Sequence, residues 1–64
     1  MSIQRGNLKE LYELSNMVEE LDRRVLEAIK MAEERGLMQV ARVLGTIKSY
    51  VDLLRRELEV KDQL

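Results

Sequence analysis

The sequence predicts an all-α protein: an antiparallel two-helix hairpin that dimerises into a four-helix bundle. Three observations carry this prediction. Apolar residues recur at heptad spacing along both halves of the chain, a single glycine stands where that spacing slips, and the apolar stripe is too wide for one neighbouring helix. With no proline in 64 residues, nothing else in the chain breaks a helix as sharply.

Residues 1 to 6 show no periodicity and read as a flexible N-terminal tail, with residues 7 to 64 forming the single hairpin domain. At "NLKE", Asn7 is placed to cap a helix and Glu10, three residues later, to reach back in a capping-box arrangement, so helix 1 is expected over about 8 to 35. Along it Leu11, Val18, Val25 and Ala32 share one core position, while Leu14, Leu21 and Ala28 share the other. Glu13, Glu20, Glu27 and Glu34 recur on the far side, and Glu19 with Arg23 and Glu20 with Arg24 have the spacing of intrahelical ion pairs.

The turn is expected at Gly36. A helix ending at Arg35 can place Gly36 in the left-handed conformation, with Leu37 packing back on the last turn, as a Schellman cap requires. The register agrees: Ala32 and Leu37 are five residues apart, where a continuing heptad allows three or four.

Helix 2 is expected over about 37 to 62. Leu37, Leu44, Val51 and Leu58 take one core position, and Val40, Ile47 and Leu54 the other. Gly45 falls on the outer side, at a cost of about 1 kcal/mol against Ala, without ending the helix. Beyond both core positions the flanks carry Met17, Ile29, Met31, Ala41, Val43 and Tyr50, where a two-stranded coiled coil places charges. Each helix thus has apolar surface for two neighbours, and a second hairpin is the simplest way to cover it. The expected dimer core comprises Leu11, Leu14, Val18, Leu21, Val25, Val40, Leu44, Ile47, Val51, Leu54 and Leu58, rimmed by Glu10, Arg24 and Arg35.

Composition bounds the function. The chain has no Cys and no His, so disulfides, the usual zinc ligands and the common nucleophile and base pairs are missing; no catalytic, cofactor-binding or metal-binding residue is expected. Eleven basic and twelve acidic residues nearly cancel, which argues against a general binder of nucleic acid or anionic membranes. No apolar run approaches a membrane span, and a cytoplasmic location is the default.

One surface stands apart. Met38, Arg42, Thr46, Ser49, Leu53, Arg56 and Val60 form a band on the outside of helix 2 from which acidic residues are missing, whereas the outside of helix 1 is lined with Glu. Arg and Met beside apolar groups are typical of protein contact patches. Met38, Arg42, Ser49, Leu53, Arg56 and Val60 are therefore the candidate partner surface, and a protein adaptor or regulator is the leading functional expectation. The alternative is an RNA- or DNA-binding regulator using Arg42, Lys48, Arg55 and Arg56. In plan, a dimer of short helical hairpins resembles the plasmid-encoded Rop family, whose bundles bind paired RNA loops. That resemblance is one of architecture and implies no particular residues here.

Overall fold

The computed structural model describes the backbone of residues 2–63 and the side chains of residues 8–59. The described residues form two helices, α1 (Ser2–Glu34) and α2 (Met38–Gln63), packed against each other as a hairpin measuring 53 × 15 × 12 Å. The first element differs from expectation. Helix α1 includes Ser2 to Gly6, for which a tail was expected, and passes through Asn7 instead of being capped there. Once a helix is nucleated, each added residue gains one backbone hydrogen bond, and Gly6 costs only about 1 kcal/mol.

The chain reverses over three residues. Gly36 has φ of +74°, the left-handed region. Leu37 N–H donates to the Ala32 carbonyl at 2.8 Å and Gly36 N–H to the Glu33 carbonyl at 3.1 Å. These are the two bonds of a Schellman cap, and they satisfy carbonyls that the end of α1 would otherwise leave unpaired. Leu37 then opens α2, its carbonyl accepting from Ala41 N–H at 2.9 Å. Gly45 lies inside α2 without interrupting it.

Writing the heptad abcdefg with Val18 and Val51 at a, the contact between the helices runs along a and e. Val18, Val25 and Ala32 of α1 and Val51 and Leu58 of α2 are buried, with Leu11 packed against the Val18, Val51 and Leu58 cluster. The e positions beside them are Ser15, Asp22 and Ile29 on α1 and Ala41, Lys48 and Arg55 on α2, all buried or half-buried. The large d residues are not in this seam: Leu14, Leu21, Val40, Ile47 and Leu54 are exposed, whereas Ala28 at d and Leu44 at a are half-buried, and Leu37, at a beside the turn, is exposed. One neighbouring helix covers only one flank of the a row. Closing on the e flank brings Asp22 against Lys48 and Arg55 and leaves the d flank open.

Candidate interaction surfaces

In an antiparallel pair, equivalent heptad positions of the two helices fall on the same face. The d and g positions therefore combine into one open face. Leu14, Met17, Leu21 and Met31 come from α1; Val40, Val43, Ile47, Tyr50 and Leu54 come from α2, and each of the nine is 40 to 68% exposed. Near the turn a shallow concavity of about 320 Å³ is lined by Gln39, Val40, Val43 and Leu44. Singly exposed aliphatic residues are ordinary, whereas these nine lie on one face, with Arg24 among them on α1.

The elongated shape leaves more of the chain in water than a compact fold of the same mass would. The accessible area is 5584 Å², whereas a compact chain of this mass exposes about 4,200 Å². The radius of gyration is 15.2 Å, against roughly 11 Å for a compact 64-residue domain.

The opposite flank of the seam carries a network of ion pairs between the helices. Asp22, with a side chain 12% exposed, lies 2.8 Å through Oδ1 from Lys48 Nζ and accepts at Oδ2 from Arg55 Nη1 at 3.4 Å. The Lys48 contact is a charge contact whose angle leaves Oδ1 without a directed hydrogen bond. Lys48 also donates to Asp52 Oδ1 at 2.5 Å, and Arg55 Nε donates to Glu19 Oε2 at 3.0 Å. The carboxylates of Asp22 and then Asp52 hold the Lys48 ammonium above its ordinary pKa, and Glu19 does the same for Arg55. Beside this network Asn16, Glu19, Glu20, Asp22, Arg23 and Leu26 line an open dish of about 370 Å³.

These pairs revise two expectations. Glu19 reaches across to Arg55 and not along its own helix to Arg23, which instead bonds Glu20. The expected Glu20 and Arg24 pair is present at 3.2 Å, with Arg24 also 3.8 Å from Glu27. The basic group on α2 is divided, because Lys48 and Arg55 are half-buried and engaged by carboxylates while Arg42 and Arg56 are exposed. Asp22, the centre of the network, was not among the residues expected to matter. The signal was there: an acid at e between Val18 and Val25 faces basic residues at e on α2 once the turn at Gly36 fixes the level.

The outer band of α2 is displayed as its spacing implies for its described side chains. Met38, Arg42, Ser49, Leu53 and Arg56 are exposed, and the Val60 side chain lies outside the described ones. Its hydroxyls are turned inward: Thr46 Oγ1 donates to the Arg42 carbonyl and Ser49 Oγ to the Gly45 carbonyl, each at 3.4 Å. What the band offers outward is two arginines, Met38 and Leu53.

Among the described residues no group of three or more His, Cys, Asp or Glu is arranged to hold a metal ion, and no helix is long and apolar enough to cross a membrane. No protein-family model matches the chain, and no match was found among curated proteins or solved structures.

Proposed function

We propose that this chain is a non-enzymatic interaction module, a homodimeric four-helix bundle acting as a protein-protein adaptor or regulator. The open d and g face carries the reading. It is long and mainly apolar, with Arg24 on α1's side, and a second hairpin presenting the same face would cover it while leaving the outer band of α2 exposed. The expected dimer core is then shared between two seams: Val18, Val25, Val51 and Leu58, with Leu11 and Leu44, close the hairpin, and Leu14, Leu21, Val40, Ile47 and Leu54 join two hairpins. Twofold symmetry doubles the outer band, so that two weak contacts to a partner act together.

The experiment separates the two surfaces. Ile47→Asp is expected to abolish self-association measured by sedimentation. Arg42→Glu with Leu53→Asp is expected to leave the dimer intact and to lose a captured protein partner. A double variant that keeps all partner binding as an intact dimer removes the role of the outer band.

The nucleic-acid alternative retains exposed Arg42 and Arg56 as support, while Lys48 and Arg55 are already neutralised within the hairpin. Phosphate-driven affinity is strongest at low salt, so absence of a gel shift at about 50 mM salt removes it.

A further inference from the structure

The self-association proposed above has two symmetric forms, and we infer that the two hairpins stack with their turns at the same end, α1 of each copy lying against α2 of the other. Covering the open face by a second copy requires a twofold axis in the plane between the hairpins. If the axis runs along the helices, the turns coincide and α1 meets the partner's α2. If it runs across them, the turns lie at opposite ends, and α1 meets α1 while α2 meets α2.

Charge distinguishes these forms. Helix α1 carries eight acidic and five basic residues, and α2 carries four acidic and five basic ones. Neighbouring helices in a bundle lie 8 to 10 Å apart, within about one Debye length at physiological salt. Stacking α1 on α1 lines up two acidic helices, including two exposed rows of Glu13, Glu20, Glu27 and Glu34 along one wall. Stacking α1 on α2 makes every adjacent pair one of opposite net charge, the combination that already closes the hairpin through Asp22, Lys48 and Arg55.

Arg24 points the same way. It is the charged residue in the middle of α1's side of the open face, held at its flank by Glu20 and Glu27. The contacts of Asp22 with Lys48 and Arg55 set the level of the two helices and place Arg24 opposite Ser49 and Tyr50. With the turns together, the partner's exposed Tyr50 arrives at that level, and a ring face is a favourable neighbour for a guanidinium. With the turns apart, Arg24 of each copy falls near the twofold axis, and two guanidinium groups approach each other.

A spin label distinguishes the forms because the chain has no cysteine of its own. Arg35→Cys labels the end of α1 beside the turn, Glu59→Cys labels the far end of α2, and circular dichroism confirms that each variant is helical. Pulsed dipolar spectroscopy is expected to give a label separation below about 30 Å at both sites, set by the 8 to 10 Å helix spacing plus the label arms. With Arg24 near the twofold axis, turns at opposite ends would put each Arg35→Cys label about 16 Å from that axis along the bundle, and the two about 33 Å apart before the label arms are added. That longer distance overturns the arrangement and leaves the dimer standing. Absence of any dipolar coupling overturns the arrangement together with the self-association it rests on.

Discussion

Asp22 on α1 and Lys48 on α2 lie 2.8 Å apart, Oδ1 to Nζ, across the middle of the hairpin, at e positions that here form part of the seam between the helices. Arg55 completes the contact from the next e position of α2. Removing one member of a shielded pair leaves the other charge without its partner, so such a pair resists slippage even where it adds little net stability. Here it fixes the level of α2 against α1. Asp22→Asn is therefore expected to lower the melting temperature more than Glu20→Gln, which removes exposed pairs of the kind that contribute about 0.3 to 0.5 kcal/mol. Equal shifts in thermal denaturation would contradict a role for the cross-helix contact.

The same pair predicts an alkaline dependence. The folded-state pKa of Lys48 is raised above its ordinary 10.5 by the carboxylates of Asp22 and Asp52 beside its ammonium. A raised lysine contributes stability that is fully present below the unfolded pKa and lost as pH rises through the folded one. Denaturant midpoints should fall above about pH 10.5 and fall less in Lys48→Arg, whose guanidinium stays charged. Every residue other than 48 is common to the two proteins, so the difference between them isolates Lys48.

Gly36 and Gly45 predict opposite signs. A Cβ added at either Gly36 or Gly45 meets nothing within 4 Å, so backbone conformation alone decides at the level of the hairpin. Gly36→Ala forces a side chain into the left-handed region and is expected to lose about 1 kcal/mol or more. Gly45→Ala lies in a helix interior and is expected to gain about 1 kcal/mol. D-alanine at 36, introduced by chemical synthesis, should stabilise where L-alanine destabilises. Chemical denaturation checks all three, and a gain for L-alanine at Gly36 would contradict the cap.

Leu53 and Leu54 are neighbours with almost equal exposure in the hairpin, 52% and 48%. They point to different surfaces, Leu53 to the outer band and Leu54 to the open face. If a second copy covers that face, Leu54→Ala costs as much as truncating a buried leucine, about 2 to 5 kcal/mol, whereas Leu53→Ala costs well under that. Similar losses at low and high protein concentration would show that both leucines remain in water.

Much of the fold was legible because it is written in local signals. The a row of Val18, Val25, Val51 and Leu58 and the register slip at Gly36 can be counted from the sequence, and both describe the hairpin closely. The choice of flank could not be counted in the same way. Ile29 and Ala41 at e are as apolar as their d counterparts, so periodicity alone leaves both flanks available. The outcome depends on Asp22 meeting residues 26 and 33 positions away, which requires the level set by the turn as well as the heptad. The start of α1 lies ahead of the position that composition suggests. "NLKE" has the composition of a cap, but the backbone runs through it as helix. The partner surfaces were legible as composition, while the inward turn of the Thr46 and Ser49 hydroxyls was not.

The molar mass in solution, read by light scattering across the peak of a size-exclusion column at micromolar concentration, tests self-association most directly. A helical species of twice the 7.5 kDa chain mass is expected, shifting to the chain mass in Ile47→Asp. A stably helical, cooperatively melting species at 7.5 kDa for the unaltered chain would show that the open face needs no second copy, and the homodimeric bundle would fall with it.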